Sequence, residues 1–115
     1  MAMLLFKKKF LEAIRQGEKT QTIRLWQRRM MRTGQRSYIP GAGYIEVTTV
    51  EPIELGGLTD ADARPDGFST AELLRQELSE LYGQKLDQGW GLFRVVFRVL
   101  PEEDQARIRA ERKKK

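Results

Sequence analysis

The chain has 115 residues, with 21 Lys and Arg against 16 Asp and Glu, a formal net charge of +5 and a pI near 9.7. Cysteine, histidine and asparagine are all absent, which excludes a disulfide framework, a thiolate nucleophile, a His-based triad and a zinc site built on nitrogen or sulfur. The length suits one domain. No window approaches the roughly 18 apolar residues of a membrane span and no signal peptide is legible, so a soluble cytoplasmic protein with no membrane partner is expected.

Leu4-Leu5-Phe6 is a short apolar run, expected as a small strand. Over residues 7–16, Phe6, Phe10 and Ile14 recur at i, i+4, i+8 with Leu11 beside them, which predicts an amphipathic helix closed by Gly17 at the C′ position. The Lys7-Lys8-Lys9 run falls in its first turn, where the helix dipole disfavours positive charge. A solvated face or a partner for these lysines is expected. Residues 20–26 predict a strand, with Ile23 and Leu25 on one face and Thr20, Thr22 and Arg24 on the other. A basic connection over 27–32 and a turn at Thr33-Gly34-Gln35 lead to a short strand over 36–39.

Residues 44–53 form the longest β-rich run, with Ile45 and Val47 facing one way and Glu46 and Thr48 the other, and with Pro52 marking an edge or a bulge. Residues 56–67 read as a loop with one helical turn around 59–63. Ser69-Thr70-Ala71-Glu72 has the form of a capping box opening a helix with Leu74, Leu78 and Leu81 on one stripe, ended by Gly83. Gly89-Trp90-Gly91 precedes a last strand over 92–100, where Phe93, Val95, Phe97 and Val99 share a face and Pro101 is the stop. Residues 102–115 are charged and read as a solvated helix or frayed tail. The elements predict an α+β fold: a small, strongly bent sheet or open barrel of about five strands with two main helices. The expected organisation is a single domain over 1–101 with a charged tail over 102–115.

Charge is unevenly placed along this order. Residues 1–50 hold 10 basic and 3 acidic side chains, residues 51–100 hold 5 and 9, and the last 15 hold 6 and 4. A basic first half suits a polyanionic or nucleotide-like partner.

Chemistry concentrates in Gly17-Glu18-Lys19-Thr20-Gln21-Thr22-Ile23-Arg24, where a lysine leaves the helix end and a strand carries Thr22 and Arg24 on one polar face. A lysine beside a threonine hydroxyl is a base-and-nucleophile pair. A free lysine near a pKa of ~10.4 is a poor base at neutral pH, whereas burial and a neighbouring cation such as Arg24 lower its value toward the useful range. The same residue types at a helix-to-strand turn also serve as ordinary surface and sheet residues. The acidic residues Asp60, Asp62 and Asp66 lack the rest of a calcium loop, so no metal is expected there.

Phe10-Leu11-Glu12-Ala13-Ile14 followed by the G-x-K-x-x-T-x-R segment from Gly17 to Arg24 resembles the signature of the ASCH family of small PUA-like domains. The resemblance extends over residues 4–100. It implies a PUA-like fold, and within one branch it implies an amidohydrolase that removes the acetyl group of N4-acetylcytidine without a cofactor. Carried over by motif, Lys19 is implied as proton acceptor and Thr22 as nucleophile. Asp66 stands where that branch has a glutamate proton donor, and being one methylene shorter it reaches the site only if its loop runs inward. Arg24, with Thr20, Trp26 and Arg28, is expected in substrate binding. The same fold class often binds RNA, which implies a second reading. Arg24, Trp26, Arg28, Arg29 and Arg32, with Tyr38, Tyr44 and Trp90, would then line a cationic groove with stacking surfaces, either in a non-catalytic module or in an RNA-acting enzyme such as a ribonuclease. The partner expected is thus a modified nucleoside or RNA.

Overall fold

Alternation at period two and recurrence near period four set where strands and helices form. The computed structural model describes residues 2–113. Its elements are β1 (Ala2–Met3), α1 (Lys8–Arg15), β2 (Gln21–Trp26), β3 (Arg36–Ile39), β4 (Gly43–Ile53), α2 (Asp60–Ala63), α3 (Ala71–Asp87), β5 (Gly91–Val99) and α4 (Glu102–Lys113). Single 3-10 turns lie at Leu55–Gly57 and Arg64–Asp66. The strands form one sheet in the order β1-β3-β4-β5-β2, antiparallel except for the parallel β1–β3 pair. The sheet curls into a half-barrel, so the expected α+β, PUA-like architecture is the one observed.

The curl has a local cause in β4. Its pairing with β5 shifts register between Val47 and Thr49, leaving Thr48 as the extra residue. The bulge keeps Val50 on the same buried face as Ile45 and Val47, which strict alternation would have reversed. Of the two expectations for Pro52, an edge or a bulge, the edge is the one observed. That proline sits opposite Phe93, beyond Glu46, where the pairing with β3 ends, so its missing N–H costs no ladder bond on that side.

Two apolar clusters cover the two faces. Ile14 of α1, with Phe6, Phe10 and Leu11, packs on Ile45, Val47, Val95 and Phe97. Ile23, Leu25 and Leu92 pack on Leu58, Ala63, Leu74 and Leu78 from the second half. Ile23 therefore buries in the second cluster, and Thr22, on the opposite face of β2, is buried as well.

Several local expectations are corrected. Leu4 to Phe6 is not a strand: pairing is confined to Ala2 and Met3, with one further bond from Leu4 N to Tyr38 O at 3.0 Å. Thr70, not Ser69, caps α3, its hydroxyl accepting from Leu73 N at 3.2 Å. Helix α3 runs through Gly83 to Asp87, because a glycine costs a helix only about 1 kcal/mol and Leu86 packs against the core cluster beyond it. Leu81 stands half exposed instead of on the buried stripe.

Residues 102–113, expected as a charged tail outside the domain, form α4 and dock on it. Ile108 is buried with Tyr44 and Leu100. The Gln105 side chain accepts from Tyr44 N at 2.8 Å and donates to Tyr44 O and Leu100 O at 2.9 and 3.1 Å. Gly43, with φ of +110°, makes room for it: a Cβ there would lie 2.9 Å from Gln105 Oε1. The charged composition hid two inward-facing residues. Of the closing lysine run, Lys114 and Lys115 lie outside the described residues.

Candidate active site

β2 is an edge strand, and the site forms along its open edge. Helix α1 ends at Gly17 with φ of +76°, the left-handed turn that glycine adopts without a Cβ clash. The chain then reverses, with Lys19 N donating to Ala13 O at 3.1 Å. Thr20 N donates to Pro65 O at 2.8 Å, which ties the start of β2 to the 3-10 turn at Arg64–Asp66. That bond brings Asp66 inward, so the shorter carboxyl reaches the lysine.

Lys19 and Asp66 form a buried ion pair, with side chains 2% and 6% exposed. Lys19 Nζ lies 2.8 Å from Asp66 Oδ1 and also donates to the Asp66 backbone carbonyl. The ammonium sits 4.7 Å from the centre of the Phe10 ring, a further favourable contact for a cation. Burial holds the Lys19 amine below the ordinary lysine range; the Asp66 charge and hydrogen bond oppose this, and Arg24 adds to the lowering.

Thr22 is also buried. Its Oγ1 accepts from Arg24 Nε at 3.0 Å, and Arg24 Nη2 donates to Leu5 O at 2.6 Å. The guanidinium lies over Phe6 at 4.8 Å. Burial lowers Arg24 as well, with Tyr82 and Asp66 opposing, from a starting value so high that it stays charged.

Lys19, Thr22, Arg24 and Asp66 line one cavity of about 210 Å³, closed by Phe6, Phe10, Leu78 and Tyr82. A salt bridge between Lys7 and Glu77, 3.2 Å long, crosses its rim. This is one partner for the first-turn lysines; Lys9 lies over the Phe10 ring. Chemically, the cavity offers a hydroxyl, an amine below its usual range, a carboxyl and a fixed cation in an apolar shell. The other two acidic loop residues are engaged: Asp62 with Arg94 at 2.5 Å and Asp60 with Ala71 N at 2.7 Å. Arg94, first, and Thr59 hold Asp62 below the usual carboxylate range.

The remaining predicted site residues are not in this cavity. Thr20 does not line it, and its carbonyl accepts from Phe97 N at 2.9 Å. Trp26, Arg28 and Trp90 line a second, open groove of about 640 Å³ that shares Leu5 and Arg24 with the first. Trp26 packs on Phe93 at 5.3 Å, and Lys85 lies over Trp90 at 4.7 Å. Arg29 and Arg32 are exposed and line neither hollow. Tyr44, expected as a stacking surface, is buried against Leu100, Ile108 and Tyr38, because α4 covers it.

Sequence reasoning passed over Gln21 and Arg94, and weighed Asp62 only as a metal ligand. Gln21 is buried and binds Asp66 Oδ2 at 3.1 Å. Its signal was present: a polar residue on the strand face otherwise formed by Ile23 and Leu25, where a buried amide needs partners. Arg94 likewise interrupts an apolar run.

A curled sheet with this helix-to-strand corner defines the class: the chain has the fold of an ASCH, PUA-like domain. Solved structures share it. The ASCH domain from Lactobacillus crispatus JV V101 aligns with a TM-score of 0.65 at 16% identity, over 77% of this chain and 69% of its own. Protein EF3133 from Enterococcus faecalis V583, of family DUF984, aligns with a TM-score of 0.66 at 17% identity, over 80% and 67%. The hypothetical protein PH0355 aligns with a TM-score of 0.70 at 14% identity, over 84% and 95%. No family model and no curated protein matches the sequence.

Proposed function

We propose that this chain is an amidohydrolase that cleaves the N-acyl amide of a modified pyrimidine nucleoside such as N4-acetylcytidine. The observation that carries the reading is the convergence of Lys19, Thr22, Arg24 and Asp66 on one cavity. Its volume of about 210 Å³ lies just below the roughly 300 Å³ of small ligand sites. That suits a base and its acyl group, with the sugar extending outward.

The Lys19–Asp66 ion pair becomes reactive when the ammonium proton passes along the 2.8 Å contact to Asp66 Oδ1, which leaves an amine beside a carboxylic acid. Thr22 Oγ1 attacks the acyl carbonyl carbon as its proton passes to Lys19 Nζ. The C–N bond breaks as Asp66 gives its proton to the departing amine. The products of this half are the free nucleoside amine, an acyl–Thr22 ester and the ammonium–carboxylate pair. Water then attacks the ester. Asp66 takes a proton from that water, and Lys19 returns one to Thr22 Oγ1 as the C–O bond breaks. The carboxylic acid leaves and the neutral pair is restored. Arg24 already donates to Thr22 Oγ1, leaving that hydroxyl's own proton free for the base, and its charge stabilises the oxyanion. In the free protein Lys19 binds Asp66, not Thr22, so substrate entry must bring base and nucleophile together.

The test is incubation of the purified protein with N4-acetylcytidine, following cytidine release. Turnover is expected, and Thr22→Ala should lower it by roughly 10³-fold or more while leaving the fold intact. Absence of turnover with acylated cytidines of any chain length overturns the reading. A second reading, RNA binding, is favoured by the exposed Arg28 in the Trp26–Trp90 groove and by the exposed Arg29 and Arg32 that follow it in the chain. Salt-sensitive RNA binding that persists in Thr22→Ala would support it in place of hydrolysis.

A further inference from the structure

We infer that Gln21 is the positioning residue of the site, holding the Asp66 carboxyl so that a single oxygen, Oδ1, faces Lys19 and carries the travelling proton. The inference rests on the amide-hydrolysis reading and extends it to a residue outside the cavity wall.

Gln21 is 3% exposed and opens β2 between Lys19 and Thr22. Its Nε2 donates to Asp66 Oδ2 at 3.1 Å and to Asp62 O at 3.0 Å. Its Oε1 faces Arg94 Nη1 at 3.5 Å, and the same Nη1 donates to Asp62 Oδ1 at 2.5 Å. This network dictates which way the amide points. Reversing it would set Oε1 against two oxygens that have no proton to offer and aim the NH₂ at a guanidinium.

The consequence for Asp66 is asymmetric. Oδ2 accepts from Nε2, so it cannot carry the acid proton in this geometry. When Asp66 is neutral, the proton belongs on Oδ1, 2.8 Å from Lys19 Nζ. Exchange between amine and acid then runs along one line, and the donor oxygen is also the one nearest the base. A carboxyl free to rotate would present its proton on either oxygen and lose that alignment. The short aspartate side chain makes the hold more important, since its reach comes from the 3-10 turn alone.

The charged and titratable groups around the pair are Arg24 on β2, Arg94 on β5, Asp62 on α2, and Lys7, Glu77 and Tyr82 around the cavity. Among these, Arg94 and Asp62 act on Asp66 through Gln21.

The experiment reads the Lys19 ammonium by NMR titration of its Nζ, with no substrate present, in wild type and two variants. In Gln21→Leu, Asp66 is no longer held on Lys19, so the Lys19 midpoint should fall by about half a pH unit or more. In Gln21→Glu, a second carboxylate beside the pair should raise it by a similar amount. The alkaline limb of kcat/KM for N4-acetylcytidine should move with each. A role limited to filling space predicts neither movement. If both variants fold and titrate Lys19 with the wild-type midpoint, the inference is overturned; if Gln21→Leu does not fold, the nearly isosteric Gln21→Glu decides alone. Opposite shifts in a protein that hydrolyses no acyl cytidine would uphold the positioning of Asp66 and discard hydrolysis.

Discussion

Two hollows meet at Arg24 and Leu5, and they differ in how their polar groups are held. In the smaller one, Lys19 and Asp66 are each within 6% exposure and each has named partners. In the larger groove, Arg28 is exposed and the flanking Met30 is 60% exposed. A fixed, dry polar group has a strong field and an altered proton affinity; an exposed one is screened by water and free to rotate. The proposed chemistry is accordingly assigned to the smaller hollow, and the alternative proposal, contact with a larger body, to the groove.

The largest effect that probes this contrast comes from dismantling the buried pair. Lys19→Met leaves the Asp66 charge without a partner and should cost about 3–5 kcal/mol in chemical denaturation. Lys19→Met combined with Asp66→Leu removes both charges and should recover most of that loss. Equal destabilisation by the single and double variants would mean the pair is not desolvated in solution.

A smaller effect follows from the depressed Lys19 value. The folded protein holds this proton less tightly than the unfolded chain does. The contribution is therefore fully present above the unfolded value of about 10.4 and is lost as pH falls through the lower folded value. Across that alkaline window the stability of wild type relative to the double variant should rise with pH. A flat difference would show Lys19 titrating as an exposed lysine.

The smallest effect is expected in the groove. Arg28→Ala should change stability by no more than about 0.5 kcal/mol, as for an exposed side chain without fixed partners. A loss of 2 kcal/mol or more would show that the groove is as rigidly built as the cavity and would erase the contrast.

The helix α1, its Gly17 end, the β2 alternation and the apolar face of β5 were all legible from spacing, because each depends on neighbours within a turn or a strand. Lys19, Thr22 and Arg24 were legible as a cluster for the same reason: they lie within six residues of one another. The run of α3 past Gly83 was not, since its last turn is held by Leu86 packing on the distant core cluster. Nor was the docking of α4, which depends on Gln105 reaching the backbone of Tyr44, 61 positions away.

The amino-acid order alone dictated the chemical vocabulary. With no histidine or cysteine, any catalysis by side chains has to draw on lysine, hydroxyl, carboxyl and guanidinium groups, and G-x-K-x-x-T-x-R sets three of them at one corner. Which carboxyl joins them was decided by folding. Asp66 lies 47 positions from Lys19, and it reaches the lysine because Thr20 N bonds Pro65 O and Gln21 grips its second oxygen. Burial then turns an ordinary lysine into one with a lowered proton affinity. That property belongs to no single residue: it arises when distant segments close around a charge and exclude water.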